Sequence, residues 1–200
     1  MHDDVAEWEG RYASHEGGLF SGNVNGPLPV EVAGLRPGRA LDVGCGEGAD
    51  AIWLAQQGWT VTGLDVSTVA LGRAAEAARS AGVQVEWVAA GVTQASGTFD
   101  LVAAHYPAIK RSPGEPELAA LLGLVAVDGT LLVVGHGPPN PEFARSRGFD
   151  PADYLLPDTV APALGADWEI LVHEQRPRVR PTPPGSPWTH DDVLRARRRG

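Results

Sequence analysis

The chain of 200 residues contains little cysteine and little positive charge, and it has no long apolar run. Each of these shortages excludes a class of protein or a kind of partner. Its single cysteine, Cys45, rules out a disulfide within the chain, and we expect a cytoplasmic protein. No apolar run approaches the roughly 18 residues that a membrane-spanning helix needs, and the acidic start is unlike a secretory signal. We therefore expect no membrane partner.

Positive charge is also scarce. Lysine and arginine total 16 against 25 aspartates and glutamates, so the formal net charge is -9, and Lys110 is the only lysine. Proteins bind phosphate backbones with clustered positive charge, and the one basic cluster, at residues 195–199, lies at the end of the chain. We therefore expect no nucleic acid as the main partner.

A regular alternation of apolar runs and helical patterns occupies the middle of the chain. The runs predict strands at 39–43, 59–65, 83–88, 99–105 and 130–135, and helices at 49–57, 68–81 and 115–127. A turn at Asp128 and Gly129 should separate the last helix from the last strand. Alternating strands and helices predict a doubly wound, mostly parallel sheet with right-handed crossovers.

The two ends of the chain depart from this alternation. Before residue 39 we expect short helices at 5–12 and 30–35, separated by a loop rich in Gly, Asn and Pro. Near the other end, strands are predicted at 168–176 and 189–197. The segment between them is too short and too rich in proline for a crossover helix, so the pair should form an antiparallel hairpin.

The most informative motif is the glycine loop at residues 44–48, Gly-Cys-Gly-Glu-Gly, between the first predicted strand and a helix. Glycine has no Cβ and tolerates positive φ, so such a loop lets the backbone approach a ligand closely. Asp65 lies 21 residues after Gly44, at the end of the second predicted strand. A glycine loop followed by an acid about 20 residues later is typical of sites that bind an adenosine-type cofactor by its ribose.

Two cofactor classes fit this loop. Residues 44–49 satisfy the dinucleotide fingerprint G-x-G-x-x-[GA], which leaves an NAD(P)-dependent oxidoreductase as one interpretation. Asp42 stands two residues before the first glycine, where it would repel a pyrophosphate and attract a positively charged ligand. The terminal hairpin is also not expected of a plain dinucleotide domain. Both details point away from a dinucleotide, and Asp42 favours a cationic cofactor.

With its flanks, the motif Leu-Asp-Val-Gly-Cys-Gly-Glu-Gly at residues 41–48, together with Asp65 and the hairpin, resembles the class I S-adenosylmethionine-dependent methyltransferases. The resemblance extends over nearly the whole chain. The region of Trp8, Tyr12, Gly22 and Asn25 is similar to small methyltransferases of the thiopurine and tellurite type, which act on small molecules. The resemblance implies S-adenosyl-L-methionine as cofactor, S-adenosyl-L-homocysteine as product, and a small-molecule methyl acceptor.

The predicted fold class follows from the alternation and the resemblance. We expect an α/β protein, Rossmann-like and doubly wound, whose mostly parallel seven-stranded sheet ends in a C-terminal antiparallel β-hairpin. Residues 1–200 would form a single class I methyltransferase domain. Within it, residues 1–38 would be a helical lid or substrate segment and 39–200 the Rossmann-like core. The oligomeric state would be a monomer or a homodimer.

The resemblance also implies which residues surround the cofactor. Asp65 would accept hydrogen bonds from both ribose hydroxyls, and Val66 would pack on the adenine. The complete cofactor-binding set is Asp42, Gly44, Cys45, Gly46, Gly48, Asp65, Val66, Ala90, Gly91, Val92 and His105. Where the family usually has an acid that contacts the adenine amino group, this chain has Gly91. This departure motivates an alternative, a non-catalytic protein that binds S-adenosylmethionine or S-adenosylhomocysteine.

The candidate catalytic residues are His105, Tyr106 and His136. Ligands bind at the carboxyl ends of the strands in an open α/β sheet, so these side chains should meet at one mouth. Histidine titrates near neutral pH, so His105 or His136 could remove a proton from the acceptor, and Tyr106 could orient it. Each could instead have only a structural role. We expect no metal, because no third ligand stands at a usual spacing from the two histidines.

The candidate lid and substrate residues are Trp8, Tyr12, Phe20 and Asn25. The aromatic three would cover the cofactor and the acceptor, although an amphipathic helix packed on the core would place them similarly. Asn25 could reach the pocket or cap a turn.

Overall fold

The computed structural model describes residues 2–137, 141–146, 148, 150–179 and 186–200. The strands are β1 (Arg39–Val43), β2 (Thr60–Asp65), β3 (Glu86–Ala89), β4 (Phe99–His105), β5 (Val125–Gly137), β6 (Trp168–Pro177) and β7 (His190–Arg198). The helices are α1 (His2–Ala13), α2 (Pro27–Glu31), α3 (Ala49–Gln56), α4 (Thr68–Ser80), α5 (Pro116–Gly123), α6 (Pro141–Ser146) and α7 (Pro157–Val160). Short 3₁₀ turns occur at Val92–Gln94, Pro151–Asp153 and Ala161–Ala163.

All seven strands join one sheet in the order β3-β2-β1-β4-β5-β7-β6. Strands β1 to β5 pair in parallel, whereas β7 pairs antiparallel with both β5 and β6. The strand order reverses direction at β1 and β4, so their carboxyl ends form the topological switch point where ligands bind in such sheets. The predicted fold class, including the terminal antiparallel hairpin, is confirmed.

Apolar side chains cover both faces of the sheet. The cluster on one face includes Leu41, Val102, Leu131 and Val133. The cluster on the opposite face includes Leu101 and Leu132. This explains why the central strands are continuous apolar runs, as expected of parallel strands buried on two sides. The rigid sheet fixes the strand ends that carry the candidate site.

The second helix differs from the prediction. A helix was expected at residues 30–35, but α2 spans Pro27–Glu31. Pro27 stands in the first turn, where a missing N–H costs no hydrogen bond and the fixed φ suits a helix. The prediction treated this proline as part of a loop and therefore started the helix too late.

The boundary between α5 and β5 also differs. The predicted helix at 115–127 ends at Gly123, and β5 already begins at Val125, which pairs with Phe99 of β4. Asp128 has a φ of 63°, and a Cβ on Gly129 would lie 2.9 Å from the carbonyl oxygen of Phe99. The predicted turn is therefore an irregularity within one strand, because pairing with β4 extends across it.

None of the described helices has the length and apolarity that crossing a membrane would require.

Candidate functional site

A cavity of about 760 Å³ opens at the carboxyl ends of β1, β2, β4 and β5. Every residue proposed from sequence as a site residue lines it. These residues are Trp8, Tyr12, Phe20, Asn25, Asp42, Gly44, Cys45, Gly46, Gly48, Asp65, Val66, Ala90, Gly91, Val92, His105, Tyr106 and His136. The fold thus brings together side chains that are far apart in sequence.

The glycine loop is pinned to the end of β2 by its backbone. The N–H groups of Gly44 and Cys45 both donate to the carbonyl oxygen of Leu64, at 2.8 and 3.0 Å. Gly44, Gly46 and Gly48 all have positive φ. A Cβ on Gly46 would lie 2.7 Å from the hydroxyl of Tyr12, so only glycine allows α1 to approach this closely.

Asp65 connects the glycine loop to α4. Its Oδ2 accepts the N–H of Gly46 at 2.8 Å, and its Oδ1 accepts the N–H of Ser67 at 2.9 Å. Each carboxylate oxygen has a second lone pair, so the group can still accept further hydrogen bonds from a ligand. Burial raises the pKa of Asp65, although these hydrogen bonds oppose the rise. Further hydrogen-bond donors from a ligand would favour its ionised form.

Asp42, at the end of β1, lies under the same loop and is 2% exposed. Its Oδ2 is buried and has no hydrogen-bond partner among the described residues. Burial, followed by the charge of Asp50, raises the pKa of Asp42 well above its usual range. A buried carboxyl group in this state gains from a cationic ligand, which would stabilise its ionised form.

Asp50, in the first turn of α3, is a buried polar residue that the sequence analysis did not single out. Its Oδ1 accepts the backbone N–H of Asn25 at 2.7 Å, and its Oδ2 accepts the Asn25 side-chain amide at 3.0 Å. The same Oδ2 lies 3.0 Å from Nδ1 of His105. Its position directly after the glycine loop was a signal in the sequence, but nothing there indicated its two partners.

His105 ends β4 and its side chain is 2% exposed. Nδ1 lies within hydrogen-bond distance of Asp50, but its N–H direction is not aligned with the carboxylate oxygen, and Nε2 has no partner among the described residues. Although burial opposes it, the nearby charge of His105, together with the hydrogen bonds from Asn25, lowers the pKa of Asp50. An ionised aspartate therefore faces the imidazole.

Tyr106 and His136 form the opposite wall. Their rings stack with centroids 4.3 Å apart. The Tyr106 hydroxyl donates to Asp191 Oδ1 at 2.9 Å and accepts from Arg178 Nη2 at 2.9 Å. Tyr106 has a φ of 50°, a strained conformation for a bulky residue that often accompanies a functional site.

The electrostatic surroundings of the two histidines differ. His136 faces the cavity and is exposed at its mouth. Desolvation by the surrounding protein atoms, followed by the nearby charge of Arg178, lowers its pKa to about 4. It is therefore neutral near pH 7 and a weak base. Arg178 was not foreseen, because its place in the site depends on the pairing of β6 with β7, far along the chain.

The N-terminal segment covers the glycine loop. Trp8, Tyr12 and Phe20 form a chain of aromatic contacts with centroids 5.9 and 6.1 Å apart. Tyr12 is buried, whereas the Phe20 side chain is exposed at the cavity rim. The carboxylate of Glu47, within the glycine loop, accepts the backbone N–H groups of Leu19 and Phe20. The loop therefore holds the covering segment directly.

Gly91 supplies no side chain to the cavity, as its sequence indicates, but a neighbouring amide lies beside it. The Gln94 Oε1 accepts the Gly91 N–H at 3.1 Å, and Gln94 also lines the cavity. Gln94 was missed in the sequence because a 3₁₀ turn, Val92–Gln94, brings it back to Gly91.

Cys45 is not an activated nucleophile. Burial, followed by the charges of Asp42 and Asp65, raises the pKa of its thiol well above the usual range, so the thiol stays protonated. Within the described residues, no group of three or more His, Cys, Asp or Glu side chains is arranged to hold a metal ion.

Comparison with known proteins gives a family for the core of the chain. Residues 40–125 match the model of a family described as a methyltransferase domain. A ribosomal RNA small subunit methyltransferase C from Alcanivorax borkumensis is 43% identical over 49 residues, which cover 24% of this chain and 15% of that protein. The chain spans between 15% and 42% of the length of the curated relatives it matches.

Solved structures match over more of the chain. One solved structure, described as "Conversion of a Disulfide Bond into a Thioacetal Group during Echinomycin Biosynthesis", matches with a TM-score of 0.74 and 22% identity. It covers 98% of this chain and 92% of its own. The N-methyltransferase NodS from Bradyrhizobium japonicum, in complex with S-adenosylhomocysteine, has a TM-score of 0.67 and 19% identity, covering 86% and 83%.

The residues that line the cavity fit S-adenosylmethionine. S-adenosylmethionine carries an ammonium and a sulfonium group, and the buried Asp42 Oδ2 lacks a partner of that kind among the described residues. The glycine loop leaves room beside it, and Asp65 keeps acceptor capacity for hydroxyl groups. Residues 40–125 thus match a methyltransferase domain, and the whole chain shares the fold of these solved structures, one of which holds S-adenosylhomocysteine.

Proposed function

We propose that this protein transfers the methyl group of S-adenosylmethionine to a small-molecule acceptor. The observation that carries the proposal is the cavity, in which the N-terminal segment packs over the glycine loop and faces His105, Tyr106 and His136. A pocket of about 760 Å³ lies within the range of roughly 300–1,000 Å³ that is typical of small-ligand sites. We also propose that residues 1–200 act as one domain, with 1–38 as the lid.

The bound cofactor would supply an electrophilic methyl group, and the side chains would hold it in place. Asp42 would bind the cationic amino acid end, Asp65 would accept the ribose hydroxyls, and Val66 and Val92 would pack on the adenine. With Gly91 in place of an acid, the amide of Gln94 is the polar side chain at hand for the adenine edge. Losing a charge-assisted hydrogen bond there would cost about 1.5–3 kcal/mol of binding free energy.

On the acceptor side, the chain would position the nucleophile, exclude water and remove a proton where the acceptor carries one. His136 is poorly suited as the base, because its pKa of about 4 gives little driving force near neutral pH. His105, next to an ionised carboxylate, is the better candidate. Tyr106, fixed by Asp191 and Arg178, would form the wall against which the acceptor packs.

The experiment that tests this function has two stages. Calorimetry with S-adenosylmethionine, S-adenosylhomocysteine and NAD should show binding of the first two and none of NAD. Methyl transfer from radiolabelled cofactor is then measured on a panel of thiols, phenols, amines and metalloid anions. NAD binding without a response to the other two would overturn the proposal in favour of an oxidoreductase.

A second candidate function is a non-catalytic binder of the same cofactor or its product, which is favoured by the missing side chain at Gly91. Cofactor binding with no turnover on the whole panel would support that alternative. Turnover of any small acceptor would exclude it.

A further inference from the structure

We infer that Asp50 is a positioning residue for His105, and that Asn25 of the N-terminal segment holds Asp50 in place for this role. The inference rests on the proposed function, because it assigns the chain of Asn25, Asp50 and His105 to proton removal from the acceptor. Asn25 lies 25 positions before Asp50, and His105 lies 55 positions after it. The three residues come from three separate parts of the fold.

Asn25 holds the Asp50 carboxylate in place. Its two oxygens receive two donors from one residue, the backbone N–H of Asn25 at 2.7 Å and the side-chain amide at 3.0 Å. The aspartate is buried, and its helix begins directly after the glycine loop. Its carboxylate therefore has little freedom to turn away from the imidazole.

Asp50 also contacts the imidazole of His105. Asp50 Oδ2 lies 3.0 Å from His105 Nδ1, although the ring N–H does not point at that oxygen in this structure. Catalytic hydrogen bonds are often poorly aligned before ligands bind and tighten in the complex. An Nδ1–H that donates to Asp50 leaves the lone pair on Nε2, which has no hydrogen-bond partner among the described residues.

Other titratable groups surround this pair. Asp42 on β1 lies close enough for its charge to interact with that of Asp50, and burial, followed by that charge, raises the pKa of Asp42 well above its usual range. The Tyr106 ring lies 6.4 Å from the His105 ring and its hydroxyl is committed to Asp191 and Arg178. Asp50 is thus the ionised group within contact distance of the His105 imidazole in the described structure.

Asn25 also links this pair to the lid. Asn25 precedes α2 and belongs to the segment that Glu47 also holds through Leu19 and Phe20. Docking of this segment therefore completes the contacts of Asp50. The segment that closes over the ligands is also the one that orients the base, so proton removal is confined to the closed site.

The test is a measurement of the His105 tautomer by long-range ¹⁵N–¹H NMR on the complex with S-adenosylhomocysteine at pH 8.5. His105→Gln assigns the resonances by their loss. The wild type should show the neutral Nδ1–H form. In Asp50→Asn, the Asn25 backbone N–H orients the new amide oxygen, so its NH₂ faces Nδ1 and the ring switches to the Nε2–H form.

A matched pair of variants tests the part played by Asn25. Asn25→Asp places a second carboxylate against Asp50 and should reduce the Nδ1–H population to the level of Asp50→Asn. Asn23→Asp adds the same charge two residues away, at an exposed side chain whose amide contacts Ser21, and should leave the tautomer unchanged. The Asn25 pair also decides the question if Asp50→Asn does not fold.

An Nε2–H or doubly protonated ring in the wild type, or an unchanged tautomer in both variants, would overturn the inference. The tautomer is read without turnover, so a failure to find any acceptor would count against the proposed function alone. With an acceptor from the panel, Asp50→Asn should lower kcat about 100-fold or more, with the cofactor Kd within about 3-fold.

Discussion

Three buried carboxylates under the glycine loop differ at the residue scale because their contacts differ. Among the described residues, one oxygen of Asp42 has no hydrogen-bond partner, Asp65 accepts two backbone N–H groups, and Asp50 faces a histidine and an asparagine. Burial raises the pKa of the first two, whereas His105 and Asn25 turn the shift of Asp50 downward despite its burial. The same residue type therefore meets three different electrostatic environments in one site.

Asp65→Ala should weaken binding of S-adenosylhomocysteine by about 10- to 100-fold, because about 1.5–3 kcal/mol of charge-assisted hydrogen bonding is lost. Calorimetry measures the change. Asp128→Ala, which removes an exposed carboxylate paired with Arg197 on the surface, is the control and should leave the affinity unchanged. Equal affinities of the Asp65 variant and the wild type would contradict the ribose assignment.

Asp42→Asn should stabilise the ligand-free protein at pH 7 to 8 while weakening the affinity for S-adenosylmethionine. A carboxyl group whose folded-state pKa is raised loses stability as the pH climbs from the unfolded value of about 3.9 through the folded value. The gain in Tm over the wild type should therefore grow with pH and vanish near pH 4. Thermal melts across this range measure it. A Tm gain that does not depend on pH would show that Asp42 is not the titrating group.

Gly48→Ala should destabilise the fold more than Gly44→Ala. Both glycines have positive φ, so each substitution carries about 1–2 kcal/mol of backbone strain. Only at Gly48 does the new Cβ meet neighbours, with Trp87 at 2.6 Å and Ala74 at 2.8 Å, which adds about 1–3 kcal/mol. Denaturant unfolding gives the two free energies, and equal losses would show that the space around Gly48 relaxes freely.

At the scale of the elements, acidic side chains dock the N-terminal segment onto the core. Glu9 on α1 accepts hydrogen bonds from the hydroxyls of Ser67 and Thr68 at the start of α4. Glu47 holds residues 19 and 20 and also pairs with Arg73 at 2.9 Å. Ser67 donates its own N–H to Asp65, so the segment is anchored beside the proposed ribose site.

Glu9→Gln should loosen α1 without unfolding the core. The hydrogen bond from Ser67, followed by that from Thr68, lowers the pKa of Glu9. Its stabilising effect is therefore present above the unfolded value of about 4.3 and is lost as the pH falls through the folded value. Hydrogen exchange at pH 7 should become faster in residues 5–13 and stay unchanged in β4. Glu7→Gln, at an exposed position on the same helix, is the control; equal exchange in both variants would rule out the Glu9 anchor.

At the scale of the whole molecule, the net negative charge favours a small-molecule acceptor over nucleic acid. One curated relative is a ribosomal RNA methyltransferase, but this chain has a formal net charge of -9. Among the described residues, several arginines pair with acids: Arg176 and Arg195 with the buried Glu31, and Arg178 with Asp191. Such paired charges leave little to neutralise phosphates.

We therefore expect no retention of small-subunit ribosomal RNA fragments in filter binding at about 150 mM salt, with or without S-adenosylhomocysteine. Repeating the measurement at about 50 mM salt is the more demanding form, because nonspecific binding strengthens as salt falls. Saturable binding that weakens steeply with added salt would contradict the proposal of a small-molecule acceptor.

Part of the fold and of the candidate site is predictable from the sequence alone. The strand carrying Asp42, the glycine loop and Asp65 were predictable because contiguous residues determine them, through apolar runs and the conformational freedom of glycine. The start of α2 and the extent of β5 were not, since Pro27 acts as a helix start and pairing with β4 continues across Asp128. Local propensity could not weigh either effect.

The sequence by itself determined the fold class, the cofactor class and the residues that surround the cavity, because local patterns specify the strands and the glycine loop. Only the tertiary structure decided that Asp50 meets Asn25 and His105, that Arg178 and Asp191 hold Tyr106, and that Gln94 returns to Gly91. The physical reason is that burial and distance set these partnerships and their pKa values, and both arise only when distant segments pack together.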